Sequence, residues 1–490
     1  MKKKVLVFTF IFMMISSNAL LFLSFSANDA DLYRINFNNK STGFYGYYIK
    51  NTPYLPVSII GSYASNPGII VDTANQRLNI NLAVQNIMMA DEQTTNFIKT
   101  YAGTVYIPLI KIDDNLYFPL NTTQQFFKIS YNVSGNEINL RAYSGKVSNI
   151  DLASLDFYAP KKNKWKQGAS KINLAWQYVD NVTPEAPPKY NGLDIISPTW
   201  FHLITNGDGS VENNGDKGYT DVCHEKGYMV WATITNNMST KGSTNFTTQT
   251  FSNAALLNRS VAQYIFYSCL YDVDGINIDY EDVIDSDAAG LVNFTRIMRD
   301  YTERQGLVLS IDTLIPKPWT IEYDRKALAK YVDYLAVMTY DEHYSSSPQP
   351  GSISSIPWTE QAIKDTIAEG VPASQILLGV PLYTRVWCID SDGKIVSNKS
   401  ASMMFMQTTL QEKELTPWYL PYEQQNYIEY PDEATTAKVW IEDAVSIQNR
   451  INLVKKYNLA GTACWQFSQG SSDIWPVFDQ NYNPISIKSR

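Results

Sequence analysis

Asp274-Gly275-Ile276-Asn277-Ile278-Asp279-Tyr280-Glu281 is the stretch whose reading decides the fold. Successive side chains of an extended strand point to opposite faces. Asn277, Asp279 and Glu281 therefore share one face, and Ile276, Ile278 and Tyr280 the other. The apolar face suits packing under helices. The polar face is costly to bury unless its groups form a working network. Seven more short apolar runs lie around this one: Ile172–Tyr178, Leu193–Ser197, Tyr228–Thr235, Leu307–Ile311, Tyr334–Tyr340, Ile376–Leu382 and Gly461–Phe467. Helical stretches separate them. Strands alternating with helices predict parallel βαβ units, and eight of them predict an α/β fold, a (β/α)8 TIM barrel over 171–490. An open doubly wound sheet is the alternative, and neither a G-x-G-x-x-G nor a Walker pattern supports it.

In such a barrel, active sites sit at the C-terminal ends of the strands. Asp279 and Glu281 are adjacent carboxyl groups on one face at such an end. Like charges this close and partly desolvated do not both ionise easily, so one proton is held near neutral pH. A general acid needs that proton. Glu281, nearer the strand end, is the expected donor and Asp279 its partner. The bland reading is a polar barrel plug without catalysis.

The same residues resemble a known family. Asp274–Glu281 is similar to the D-G-x-D-x-D-x-E signature of glycoside hydrolase family 18. Met338-Thr339-Tyr340-Asp341 resembles that family's M-x-Y-D, Pro381-Leu382-Tyr383-Thr384-Arg385 fits its seventh strand, and Trp465 occupies the place of its sugar-stacking Trp. One position departs: the second Asp of the signature is Asn277, which keeps a hydrogen bond but no charge. The resulting G-x-N-x-D-[aromatic]-E looks like the spore-cortex and peptidoglycan glucosaminidase branch.

The resemblance implies a mechanism. Glu281 protonates the glycosidic oxygen, and the substrate's own 2-acetamido carbonyl attacks the anomeric carbon, a substrate-assisted exception to the two-carboxylate scheme. Asp279 orients the acetamide N–H, Tyr340 hydrogen-bonds the acetamide oxygen, and Trp465 stacks under the sugar. Asn277, Asp341, Tyr383 and Arg385 join Trp465 as substrate-binding residues, although Asp341 and Arg385 read equally well as structural ion-pair members. The implied partner is an N-acetylglucosamine-containing polysaccharide, peptidoglycan or chitin. A non-catalytic, lectin-like protein is the remaining alternative. No cofactor is expected, and His202, His224 and His343 show no ligand spacing, so no metal is expected either.

The rest of the chain bounds these readings. It has 490 residues, 44% of them hydrophobic and 18% charged, and a net charge of −8. A nucleic-acid partner is excluded, because no basic excess exists to displace phosphate counterions. The 4 Cys are too few for a disulfide scaffold and read as buried thiols. Residues 1–26 read as a signal peptide, with Lys2, Lys3 and Lys4 ahead of the apolar Val5–Leu23 and small residues Ser24 and Ser26 after it. An uncleaved anchor is the other reading of the same stretch. The expected location is secreted or cell-envelope associated.

Residues 31–145 show the period-two alternation of a small β-rich domain, and an echo: Tyr54-Leu55-Pro56-Val57 recurs as Tyr117-Phe118-Pro119-Leu120. The region resembles the domain named after the copper amine oxidase N-terminus, which implies a spacer or wall-binding role and no copper. Residues 146–170 read as a linker carrying Lys161, Lys162, Lys164 and Lys166. Trp176, Trp200, Trp231 and Trp387 lie near strand ends and suit sugar subsites or core alike. The spacer Cys388–Trp440 is short for the wall of a deep, processive cleft, which favours short or crosslinked substrates.

Overall fold

The computed structural model describes residues 24–25, 31–63, 69–90, 95–124, 126–127, 129–142, 157–159, 171–180, 183–203, 207–236 and 246–482. The expected signal peptide and linker lie outside the described residues, apart from Ser24–Phe25 and Phe157–Ala159. These two segments add short parallel pairings, to Lys111–Ile112 and to Ile87–Met89 respectively.

Each of the eight apolar runs is a strand. They are β1 Ile172–Gln177, β2 Ile195–Leu203, β3 Met229–Thr235, β4 Gly275–Asp279, β5 Val308–Leu314, β6 Tyr334–Met338, β7 Ile376–Pro381 and β8 Gly461–Trp465. Neighbours pair in parallel from β2 to β8, and β1 pairs with both β2 and β8, so the sheet closes. This is the predicted (β/α)8 barrel. Five longer helices clothe it: α1 Lys217–Glu225, α2 Ala254–Leu270, α3 Ala288–Gln305, α4 Ile356–Ala368 and α5 Ala444–Lys456. Their ends are set locally. The Asp443 side chain accepts from the first-turn amides of α5 in a capping box with Ser446, and Gly306 takes the left-handed conformation that ends α3.

The alternation in β4 sorts its side chains as the sequence predicts. Ile276, Ile278 and Tyr280 are buried among Leu291, Phe294 and Met298 of α3 and Tyr264 of α2. Tyr280 stacks on Phe294 at 5.0 Å. The interior is filled from below by Leu174, Trp176, Trp231, Tyr334 and Leu377. Trp231 and Tyr334 stack at 5.6 Å. Gly275 makes room for the Trp231 ring, since a Cβ there would lie 2.8 Å from that ring and 2.9 Å from the Val308 carbonyl oxygen. All four tryptophans that sequence left undecided are core: Trp176, Trp200, Trp231 and Trp387 are at most 2% exposed.

The spacer between β7 and β8 is more than a connection. Tyr383–Ile389, Ile395–Ser402, Trp418–Leu420, Gln425–Asp432 and Thr435–Ile441 form a five-stranded antiparallel sheet, with a helix at Met403–Glu412 and its own small core around Met406, Ile428 and Val439.

The N-terminal region is two antiparallel-rich sheets. The sequence echo has a structural counterpart. Tyr54, Leu55 and Pro56 pair antiparallel with Pro119, Phe118 and Tyr117, and each segment leads into a short helix, Ser58–Tyr63 or Leu120–Thr123. A similar aromatic–apolar–Pro step, Tyr106-Ile107-Pro108, instead ends a strand paired to Arg77–Asn79. This region packs on the barrel's flank. The Tyr106 N–H donates to the Tyr267 hydroxyl (3.1 Å), and Asn213 donates to the Tyr106 carbonyl (2.7 Å). Phe126 meets Phe266 of α2 at 6.3 Å.

Candidate active site

The site is assembled from the C-terminal ends of β4, β5 and β6 and the segment that follows β7. Asn277 and Asp279 point inward from β4 and are 1% and 7% exposed. Regular pairing of β4 ends at Asp279, so Glu281 is held by another device. The side chain of Asn236, just past β3, accepts from the Glu281 N–H (2.9 Å) and donates to its carbonyl (2.7 Å). One amide side chain thereby replaces a rung of the ladder. The Tyr323 hydroxyl donates to the Tyr280 carbonyl (2.9 Å) and fixes the same segment from the β5 side. Asp282 then turns away in the left-handed region, φ 51°.

The electrostatics follow from burial. Desolvation raises the Asp279 carboxyl well above the usual carboxylate range, and the neighbouring charges of Glu281 and Asp312 raise it further. Desolvation also raises Glu281, aided by Asp282 and Asp341. Buried carboxyls this close share protons as a set rather than titrating singly. A carboxyl kept protonated beside a second one is the resting state a general acid requires.

Tyr340, immediately after β6, lies against the same cluster. Burial, then the charges of Asp312, Glu281 and Asp279, hold its phenol well above its ordinary value, so it acts as a hydrogen-bond donor. Its ring meets Tyr383 edge-on at 6.4 Å, and the Tyr383 hydroxyl donates to Asp341 Oδ1 (2.7 Å). Asp341 sits at φ 60°, a backbone conformation uncommon for a side-chain-bearing residue outside Asn and Asp. Trp465, at the end of β8, is half-buried and rests edge-to-face on Trp176 at 6.1 Å.

Arg385 lies in the inserted sheet. It donates to Asn398 Oδ1 (2.6 Å) and leans over the Trp387 ring at 5.9 Å. Its hydrogen bond to Asn398 and its contact with Trp387 tie it to the insertion, not to an ion pair with Asp341. Asp274, at the opposite end of β4, accepts from the Val230 N–H (2.8 Å) and contacts His224 (2.9 Å), a supporting role away from the carboxyl cluster. Among the described residues no group of His, Cys, Asp or Glu is arranged to hold a metal ion.

Two residues of the site escaped the sequence reading. Asn236 lies between Thr235 and Asn237 at the end of an apolar run, and nothing in its spacing marks it. Asp312 has the inward parity of Ser310 on β5 but lies one residue past the apolar run that ends at Ile311. Asp312 is 2% exposed and accepts from Asn277 Nδ2 at 2.6 Å.

Comparison with known proteins agrees with this geometry. Residues 239–470, which include β4 to β8 and every residue of the cluster except Asn236, match the family model of glycosyl hydrolases family 18. Over 286 residues the chain is 29% identical to a Bacillus subtilis protein named as a sporulation-specific glycosylase, covering 56% of this chain and 66% of that one. It is 28% identical over 223 residues to the cortical fragment-lytic enzyme of Bacillus subtilis, covering 44% and 51%. The chain thus spans just under two thirds of the first relative's length and about half of the second's. Among solved structures, the spore cortex-lytic enzyme SleL of Bacillus megaterium QM B1551 shares the fold with a TM-score of 0.56 at 19% identity, covering 66% of this chain and 75% of that one. Residues 239–470 of this chain, the part of the barrel that carries the carboxyl cluster, are accordingly similar to glycosyl hydrolases family 18.

Proposed function

We propose that this protein is a retaining glycosidase that cleaves β-1,4 bonds after N-acetylglucosamine in peptidoglycan or a related envelope glycan. The observation that carries the reading is the desolvated Asp279–Glu281 pair beside the Tyr340 hydroxyl at one mouth of the barrel. Glu281 gives its proton to the glycosidic oxygen. The 2-acetamido oxygen of the substrate closes on the anomeric carbon as that bond breaks. Asp279 takes the acetamide N–H and balances the positive charge that develops there. Tyr340 donates to the acetamide oxygen and aims it. Trp465 offers an apolar face for the sugar, Asp341, Tyr383 and Arg385 line the approach, and Asn277, expected from sequence to bind substrate, is buried and acts through its hydrogen bonds to Ser310 and Asp312 instead. Water then opens the cyclic intermediate, with Glu281 acting as base, and the anomeric configuration is retained.

Peptidoglycan is favoured over chitin by the names of the two Bacillus relatives and by Asn277 in the signature. The N-terminal region, whose sequence resembles the copper amine oxidase N-terminal domain, serves in this reading as a spacer that holds the barrel at the wall. The protein acts outside the cytoplasm, exported by its N-terminal segment.

The test is product analysis by mass spectrometry. Full-length protein is incubated with purified peptidoglycan and, separately, with chitin oligomers, with Glu281→Gln as control. New reducing N-acetylglucosamine ends from peptidoglycan, absent with the variant, are the expected result. Cleavage of chitin oligomers alone would move the substrate to chitin and keep the chemistry. Intact glycans in every reaction would overturn the catalytic reading in favour of a lectin-like one.

A further inference from the structure

Asn277 stands where a carboxylate would complete a charged row on β4, yet the site does not lack that charge. The Ser310 hydroxyl donates to Asn277 Oδ1 (2.7 Å), and Nδ2 faces Asp312. Nδ2 donates to Asp312 Oδ2 at 2.6 Å. The other carboxyl oxygen, Oδ1, is buried and has no hydrogen-bond partner among the described residues. A buried carboxyl with one satisfied oxygen and one orphan is costly to keep. Such a group persists where its charge or its proton is used.

We propose that Asp312 is a positioning residue of this active site: from β5, through Asn277, it supplies the buried carboxyl that the Asp279–Glu281 pair works against. The inference rests on the functional reading above and adds a residue to it. The groups that act on Asp312 come from every element around it. Asn277 and Asp279 face it from β4, Glu281 from beyond β4, Tyr340 from the end of β6, and the Trp176 indole from β1. The indole N–H lowers the proton affinity of Asp312 without reaching hydrogen-bonding geometry. None of these groups is a cation. Three carboxyls without a cation cannot all ionise, so Asp312 helps keep a proton on Glu281 in the resting site. As positive charge develops on the substrate, the Asp279–Asp312 pair carries more negative charge beneath it than Asp279 alone would.

A swap of the two side chains tests this. Asp312→Asn is isosteric and keeps an oxygen for Asn277 to donate to, but removes the charge. Its kcat is expected to fall about tenfold or more with KM nearly unchanged, and the basic limb of its pH profile to move about half a unit or more toward acid, because a like charge beside Glu281 is gone. Asn277→Asp alone sets a second carboxyl against the first and moves that limb toward alkali. The double variant Asn277→Asp with Asp312→Asn puts the carboxyl on β4 and the amide on β5, donating across the same gap. It is expected to regain kcat to within about threefold of wild type. A wild-type pH profile for Asp312→Asn, or a double variant no better than the singles, would overturn the proposal.

Melting temperature against pH gives a readout independent of substrate. A buried carboxyl whose folded pKa is raised contributes stability at low pH that is lost as pH rises through that value. Asp312→Asn removes this loss, so its melting temperature gains on wild type toward neutral pH. If wild type cleaves no glycan, the functional reading fails, while the melting curves still decide the coupling. Parallel curves for wild type and variant would overturn it.

Discussion

At the scale of single residues, the site depends on how Glu281 is held two residues beyond the end of its strand. As the proposed general acid, Glu281 needs a raised pKa and a fixed place, and different neighbours supply the two. Burial and the charges of Asp282 and Asp341 raise its pKa. An acid works only while protonated, so activity is expected to be present below this raised value and to fall as pH rises through it. The pH dependence of kcat checks this, and a basic limb that survives in Glu281→Gln residual activity would contradict it. Asn236 supplies the place. Asn236→Ala leaves the Glu281 N–H and carbonyl without their partners, a cost of about 1–3 kcal/mol. Steady-state kinetics should show kcat reduced by about tenfold to a hundredfold with KM less affected, since a general acid displaced even slightly loses its alignment. An unchanged kcat would show that Glu281 is placed by other contacts.

At the scale of elements, β4 shows how one strand serves packing and chemistry together. Its outward residues Ile276, Ile278 and Tyr280 lock it under α2 and α3, and its first residue must be small. Gly275→Ala would place a methyl group within 2.9 Å of the Trp231 ring and the Val308 carbonyl, which overpacks the barrel floor by about 1–3 kcal/mol. Urea denaturation measures this, and a loss under half a kilocalorie would mean that the floor yields. The barrel itself was legible because each strand is a short apolar run between helical patterns, and period two assigned the faces of β4 without ambiguity. Less legible were the ends of the strands. The apolar runs of β2 and β5 break at Ser197-Pro198-Thr199 and at Asp312-Thr313, yet both strands continue, to Leu203 and Leu314. In a barrel the inward face near the mouth is polar because the site is there, so hydrophobicity fades where the chemistry starts. Asp312 was passed over for that reason. The inserted sheet was passed over because its strands are amphipathic and antiparallel, with exposed faces that carry Trp418, Tyr419 and Tyr422.

At the scale of the whole molecule, the insertion and the barrel are tied by a buried ion pair. Glu442 accepts from both terminal nitrogens of Arg450 (2.7 and 2.8 Å) and from Gln425 of the inserted sheet (2.7 Å), while Arg450 also donates to the Ser354 carbonyl (2.6 Å). Glu442 and Asp443 are adjacent acids just ahead of α5. Only Asp443 caps α5, and Glu442 turns inward. Burial pushes Glu442 up to about 7 in spite of Arg450. Its folded pKa is raised, so the stability linked to it is present at low pH and lost as pH rises through about 7. Arg450→Met strands the carboxylate, and about 3–5 kcal/mol of stability should be lost near pH 8. Near pH 5 Glu442 is protonated and the loss should be smaller. Equal losses at both pH values, in chemical denaturation, would mean that Arg450 acts through packing alone.

The central claim is that the substrate's own acetamide does the work of a nucleophile between Glu281 and Asp279. Its most direct test is the anomeric configuration of the first product, followed by proton NMR during cleavage of a β-linked glycan that the protein accepts. The account predicts that the β-anomer of the new reducing N-acetylglucosamine end appears first and mutarotates to the α-anomer afterwards. An α-anomer formed first would mean direct attack by water, and would contradict it.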